Sequence, residues 1–385
     1  MLSAFDVHDP ATFSPVIPGS LPWRTKGVAA LVDHNRPAGN VHDRASRATL
    51  LGRIAALLDQ PLLDSVDAEQ ASGMTVLLVP GDALGADDAG AAGIFDRSDI
   101  LGGVVPAMFV GTKAITHGLV DGEAARPPGW SVTMAELMRD AALPGYTAFT
   151  HADAARAGRL LLAKGPVRIK DVCGKAGLGQ EVVRTEAELD AALAHEDADA
   201  LADCGIVLEE NLTDVVTYSV GLVELAGQTI SYWGTQNLTT DHKGREVYGG
   251  SDLHVVRGGF DALIALALPE HLTRVVRCAA IFDGAAHAAY PDIILTRRNY
   301  DVIEGTDAEG CRRIGVLEQS WRVGGASGAE MAAFEAFQAE PDTAAVRCST
   351  VEVYDLVTPP VGATVYYQGV DPSIGAMTKY AMRYA

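Results

Sequence analysis

The chain has 385 residues, 48% of them hydrophobic and 21% charged, enough for two or three packed subdomains and ordinary for a soluble globular protein. Its 50 acidic residues outnumber its 30 basic ones, and the net charge of −20 excludes a nucleic acid or an anionic membrane as the main partner, because both need a basic patch. The cysteines (Cys173, Cys204, Cys278, Cys311, Cys348) are scattered without a C-x-x-C pair, which excludes a zinc ribbon or disulfide framework and fits a reducing cytoplasm. The start, MLSAFDVHDPATF, has neither the basic nor the apolar region of a signal peptide, and no apolar run approaches a membrane span. A cytoplasmic location is the resulting expectation.

In chain order, residues 1–26 read as an irregular arm. Gly27–Val32 and Met74–Val79 are apolar strand candidates, and Arg44–Leu58 between them sets Leu50, Leu51, Ile54, Leu57 and Leu58 on one helical face. With the apolar run Ile100–Val110, this predicts a small parallel α/β domain over residues 1–112. His34, Asn35, Arg36 and His42 follow the first strand, where ligands of parallel sheets commonly bind. Residues 113–204 read as a second unit: an apolar segment from Lys113, helices over Val132–Met138 and Asp153–Lys164, a strand ending at Lys170, and a helix opened by the Thr185–Glu188 capping box. Residues 205–340 read as a third. It holds strands at Gly205–Leu208, Thr217–Leu225, Gln228–Trp233, Leu253–Arg257, Asn299–Ile303 and Arg313–Trp321, and a helical stretch over Phe260–Ala289 broken at Pro269. Residues 341–385 carry two strand-like runs, Ser349–Val357 and Thr364–Gln368, predicted to pack on the body.

Three stretches carry chemistry. The first is Arg168–Val183, where a strand ends in Lys170 and a loop with Gly174, Gly177 and Gly179 comes next. A lysine beside a glycine lid can hold a polyphosphate, since the glycines let backbone N–H groups approach oxygens; a plain surface turn is the open alternative. The loop is not a Walker A motif, because Ala176 follows Gly174-Lys175. The second stretch pairs Asn299–Val302 with Val316–Arg322. Glu318, Ser320 and Arg322 share one strand face, and a hairpin would bring Asp301 to Glu318. Two carboxylates with a hydroxyl suit Mg²⁺ carrying phosphates, and the arginine can brace charge on a transferring phosphoryl group; an exposed hairpin with a charged face is the alternative. The third is Gly324-Gly325-Ala326-Ser327, leading into a helix with Ser327 and Glu330 as a capping box. There, free N–H groups could hold a carboxylate or acyl phosphate; a well-capped surface helix is the alternative.

The ordered set of these parts resembles the ATP-grasp superfamily of ATP-dependent ligases, closest to an uncharacterised bacterial family often labelled biotin-carboxylase-like. The resemblance implies an α/β pre-domain followed by two α+β lobes that clamp ATP and Mg²⁺. On it, Lys113 in GTKAITH and Lys170 match the phosphate lysines, and Gly174, Gly177 and Gly179 match the lid. Val207, Leu208, Glu209 and Asn211 match the adenine hinge, with Glu209 the key side chain. Asp301 and Glu318 match the metal acids, and Arg322 matches the arginine of the final Glu-x-Asn-x-Arg element, with Ser320 standing where the family has Asn. The region of Arg257 corresponds to one that reaches the phosphates or substrate. The resemblance implies a ligase that turns a carboxylate into an acyl phosphate for attack by an amine or thiol. Its partners would be small-molecule carboxylate and nucleophile substrates, with a homodimer as the assembly considered. A catalytically reduced nucleotide-binding sensor or partner-binding protein of the same fold is the second reading.

Overall fold

The structure, a computed structural model, describes residues 26–32, 39–172 and 179–384. The expected N-terminal arm, the His34–Arg36 cluster and lid residues Cys173–Leu178 lie outside the described residues. Strands β1 (Val28–Ala30) and β2 (Leu77–Val79) pair in parallel, Val28 opposite Leu77, and all their side chains are buried, as in strands covered on both faces. Between them, α1 (Val41–Leu57) turns Leu50, Leu51, Ile54 and Leu57 inward. The short α2 (Ala68–Ala71) starts at an Asp67–Gln70 capping box. β3 (Leu84–Gly85), α3 (Ala86–Ala91) and β4 (Gly103–Val105) follow, β3 and β4 pairing in parallel in a second small sheet. His42 sits away from any ligand-facing strand end: its N–H donates to Asp371 and its ring packs on Tyr367.

After α4 (Val132–Met138) come β5 (Gly145–Ala148), α5 (His151–Leu162), β6 (Val167–Asp171), β7 (Gln180–Val183), α6 (Glu186–Leu193), α7 (Ala198–Cys204) and β8 (Ile206–Glu210). The strands form one antiparallel sheet in the order β5-β8-β6-β7. The Thr185 hydroxyl caps α6 by accepting from Glu188 N–H. Gly158 lets α5 close on α6, since a Cβ there would lie 2.5 Å from Leu189. The sequence pattern assigns β8 to the same unit as the strands C-terminal to it. The structure puts β8 in the middle of the small sheet instead, because its partners come from residues N-terminal to it.

The large sheet has eight strands in the order β14-β13-β9-β10-β11-β15-β17-β16. Its members are β9 (Thr213–Leu225), β10 (Gln228–Thr240), β11 (Glu246–Arg257), β13 (Arg297–Thr306), β14 (Arg312–Ser320), β15 (Ala345–Val353), β16 (Thr364–Asp371) and β17 (Gly375–Arg383), while β12 (Ile294–Leu295) returns to pair β4 of the pre-domain. The C-terminal strands thus extend the large sheet, and β17 is an element the sequence pattern does not announce. Side chains alternate along the strands. Val223, Ile230, Leu253 and Val255 meet α1 and α10 (Ser327–Ala339) on one face. On the other, Val220, Leu222, Tyr300 and Val302 meet α8 (Phe260–Ile264) and α9 (Glu270–Ala289). Among the described residues no helix is long and apolar enough to cross a membrane.

One ion pair ties α10 to this sheet. Arg297 on β13 and Glu330 on α10 are 2% and 3% exposed, with Arg297 Nη2 2.7 Å from Glu330 Oε1. Burial opposes the guanidinium charge, but Glu330 outweighs it and raises the arginine pKa. Glu330→Ala would leave that guanidinium buried and uncompensated. The expected loss is about 3–5 kcal/mol of unfolding free energy, read by urea denaturation; a loss under about 1 kcal/mol would show the pair to be dispensable.

Candidate functional site

The site grows from the segment between pre-domain and small lobe. Thr112 caps a short 3₁₀ turn over Lys113–Thr116 by accepting from Ala114 N–H, and Gln319 of β14 donates to the carbonyls of Val110 and Thr112. The other flank is tied to β5, where the Thr147 hydroxyl donates to Ala114 O at 2.6 Å and its N–H to Gly118 O at 2.8 Å. Held between the sheets, the segment extends one basic side chain toward each, a lysine and a histidine. Lys113 Nζ lies 2.6 Å from Glu318 Oε2 on β14. His117 Nε2 lies 3.1 Å from Glu209 Oε2 on β8, and Lys170 Nζ of β6 is 2.5 Å from the same carboxylate's Oε1. Lys113, His117, Lys170 and Glu209 are all buried. Burial raises the Glu209 pKa, but Lys170 first and His117 second outweigh it, so the carboxyl titrates below its ordinary value.

Glu318 stands directly opposite Asp301 in the register of β14 and β13. A bulge between Asp301 and Val302 marks the spot. Asp301 Oδ1 accepts from Gln236 Nε2 and Asn299 Nδ2, each at 2.8 Å, and Gln236 also donates to Ser219 Oγ. The Tyr232 hydroxyl lies 3.0 Å from Asn299 Oδ1 and 2.7 Å from Glu330 Oε1, so the chain of contacts ends in the Arg297–Glu330 pair. Arg297 Nη1 also donates to the carbonyls of Ser320 and Arg322 and fixes the end of β14. Ser320 faces Asn299 across the ladder. Burial first and the Glu318 charge second push Asp301 up to about 6, against the two amide donors. Two oxygen donors crowding like charge, with amides fixing one oxygen of Asp301, are a donor set that fits Mg²⁺.

The structure brings Lys113 to Glu318 and Asp301 with Ser320 beside them, and Lys170 to Glu209, while the Arg322 side chain turns to Asp82; it separates others. Gly179 closes the β6–β7 hairpin at φ +73, where its carbonyl accepts from Asp171 N–H; Gly174 and Gly177 lie outside the described residues. Val207 and Leu208 are a correction. They are fully buried and paired with both β5 and β6, so they position Glu209 and present no edge to a nucleotide. Asn211 is likewise engaged within its lobe: its N–H donates to Pro166 O and its side-chain oxygen accepts from Arg168. Arg257 points at the last turn of α10, where it donates to Phe337 O, Pro341 O and Thr343 O and covers the Phe337 ring; it holds a helix end and not a substrate. The Ser327–Glu330 capping box does not form. Ala326 is the N-cap, Ser327 Oγ accepts from Gly324 N–H, and Glu330 turns inward to Arg297. The N–H groups of Gly324, Ser327, Ala329 and Glu330 are bonded, and Gly325 lies against Tyr248, so the expected anion cradle is not assembled.

His117, Ser219, Gln236, Asn299, Tyr232 and Arg297 join the site without having been expected there. Asn299 carried a readable signal, since setting Asp301 against Glu318 sets Asn299 against Ser320. The others arrive from strands and turns whose neighbours local pattern does not identify.

The chain belongs to the family described as "Protein of unknown function (DUF3182)", which matches residues 30–381. No curated protein matches it significantly. Among solved structures it is similar to a biotin carboxylase–β-γ-ATP complex from Campylobacter jejuni, at 13% identity and TM-score 0.54, over 94% of this chain and 88% of that one. It is also similar to the biotin carboxylase domain dimer of Hydrogenobacter thermophilus 2-oxoglutarate carboxylase with MgADP, ADP and bicarbonate, at 13% identity and TM-score 0.51, over 93% and 86%. Likeness at this identity speaks for the fold, which is that of the ATP-grasp ligases.

The raised Asp301 gives a stability test. Its folded pKa lies above its unfolded one, so the cost of ionising it in the fold is absent below about pH 4, grows through about pH 6 and is complete above. Asp301→Asn keeps an oxygen for the amide donors and removes the charge. The expected gain is about 1 kcal/mol or more of unfolding free energy at pH 8 and none at pH 4. Chemical denaturation at both pH values reads it, and a pH-independent effect would contradict the charge argument.

Proposed function

We propose that this DUF3182 member is an ATP- and Mg²⁺-dependent ligase that activates a small carboxylate as an acyl phosphate for attack by an amine or thiol. The observation that carries the reading is the Lys113–His117 segment. It sets one lysine on the acid that faces Asp301, and a histidine on the Glu209 that holds the second lysine. Nucleotide clamps need that arrangement, with charge for phosphates on one wall and oxygen ligands on the other.

In this reading Lys170, at the end of β6 where the glycine segment begins, binds phosphate oxygens, and Glu209 and His117 fix its ammonium group. Lys113 moves its charge from Glu318 to the phosphates. Asp301 and Glu318, with the Ser320 hydroxyl beside them, hold Mg²⁺, which supplies positive charge against the phosphate oxygens. Gln236 and Asn299 orient Asp301 throughout. Arg322, just past the end of β14, steadies the carboxylate and the charge developing on the transferred group. No side-chain nucleophile is required, because the second substrate attacks.

The test is ADP release from Mg·ATP across a matrix of small carboxylates with amines or thiols. At least one pair should release ADP, and Glu318→Gln should lower that rate about a hundredfold or more. Nucleotide binding without ADP release in any pair would replace the ligase with a nucleotide-binding sensor, the reading that Ser320 in place of Asn favours. Lys170→Ala alone is a poor probe, since it strands the buried Glu209 carboxylate. The double change Lys170→Met with Glu209→Gln should stay folded by circular dichroism and weaken Mg·ATP binding at least about tenfold. Unchanged affinity in the folded double variant would remove Lys170 from the nucleotide site.

A further inference from the structure

A second cationic pair lies where the pre-domain meets the large sheet. Arg47 on α1 reaches the carboxyl end of β2, where Nη2 donates to Val79 O and Nη1 lies 3.2 Å from where a Cβ on Gly81 would stand. Arg322 reaches the same end from the bend just past β14. Its Nε lies 3.5 Å from Asp82 Oδ1, its Nη1 donates to Val323 O, and that nitrogen is 3.2 Å from where a Cβ on Gly324 would stand. The two guanidiniums therefore flank the single segment Val79-Pro80-Gly81-Asp82, each beside a glycine that leaves it room. We propose that Arg47 and Arg322 form a clamp for the carboxylate of the co-substrate, with Asp82 holding the Arg322 fork when no ligand is bound.

Charge and position both support this. Among the described residues, Arg47 forms no ion pair and its hydrogen bond is to a neutral carbonyl. The Asp82 contact with Arg322 is long at 3.5 Å, and both guanidiniums are half-buried. Burial first and the Arg322 charge second press Arg47 below the ordinary guanidinium value, the direction a neighbouring like charge imposes; the group stays protonated all the same. A surplus cation half out of water is costly unless an anion completes it. The planar forks of two arginines suit a carboxylate, which can accept two parallel hydrogen bonds from each. The carboxyl end of a parallel strand is a common place for a ligand. Arg322 lies four residues after Glu318, in the bend just past the end of β14. The inference rests on the ligase reading for its substrate class: a small organic carboxylate, held by residues from two different parts of the chain.

The experiment uses the full chain and four sodium salts, bicarbonate, acetate, glycinate and succinate, each against sodium chloride at equal ionic strength. Thermal shift gives the apparent Kd, with and without Mg·ATP. At least one of the four is expected to stabilise the wild type beyond chloride. For that salt, Arg47→Ala should weaken the apparent Kd about tenfold or more, Arg47→Lys should weaken it less, and Asp82→Asn should strengthen it. A purely structural role would move Arg47→Ala and Asp82→Asn in the same direction. The proposal is overturned if none of the four stabilises the wild type, or if Asp82→Asn weakens binding as Arg47→Ala does. Mg·ATP titration of the wild type reports the nucleotide clamp separately. Loss of nucleotide binding with the anion effects intact removes the ligase reading and leaves the arginine clamp, and the reverse result removes the clamp alone.

Discussion

Two side-chain contacts that share one turn of backbone fix the geometry on which the site depends. Lys113 and His117 leave the same short turn in opposite directions, to Glu318 on the large sheet and Glu209 on the small one. Neither pair is a large source of net stability, because desolvation offsets most of the Coulomb gain. The constraint is positional. Removing one partner strands a buried charge at a cost of about 3–5 kcal/mol, so the two lobes cannot separate at this point without losing both contacts. The carbonyls at Val110, Thr112 and Ala114 are bonded to Gln319 and Thr147, which makes the turn a strut and not a loose linker.

Behind the acid pair, a polar chain runs from Asp301 through Asn299 and Tyr232 to Glu330 and Arg297. A half-satisfied buried network would be worse than an apolar one. Here each member has partners, and the Tyr232 hydroxyl lies within reach of two acceptors. The network explains why Glu330 abandons its local capping role: Arg297 is buried, and Glu330 is the carboxylate that pairs with it directly. It also links fold and site, since the same guanidinium binds the carbonyls of Ser320 and Arg322 and so sets where the end of β14 points. The cost is visible at Asp301, whose carboxyl is held above its ordinary range by burial and Glu318. Strain of that kind is tolerated where a site needs it.

What the sequence made legible was what period and punctuation encode. Asp301 against Glu318 is dictated by alternation along two strands joined by an Asp- and Gly-rich turn, and α1, α5 and α9 by their apolar faces. What failed depended on which partner covers which face. Arg257 sits on the strand expected of it but faces the end of α10, a choice made by a helix eighty residues on. The Ser327–Glu330 spacing is a sound local capping signal, overridden by a distant arginine. Val207 and Leu208 read as a hinge because the sequence does not reveal that β5 and β6 seal β8 on both edges. Lys113 could be placed by resemblance, but its contact with Glu318 joins residues some two hundred positions apart.

Three basic groups expected at ligand anions rest on the chain's own acids: Lys113 on Glu318, Lys170 on Glu209 and Arg322 near Asp82. In a chain of net charge −20, this internal pairing keeps buried cations compensated without a ligand. It also makes the anion and cation sites interdependent. Lys113 can give its charge to a phosphate cheaply only if Glu318 gains another cation, and Glu318 can accept that cation cheaply only if Lys113 has somewhere to go. The two exchanges therefore share a coupling free energy, and by reciprocity each ligand raises affinity for the other. On the proposed function, a clamp wired in this way would favour nucleotide and divalent cation together over either alone. That preference arises from where one lysine is stored and requires no conformational change beyond its release.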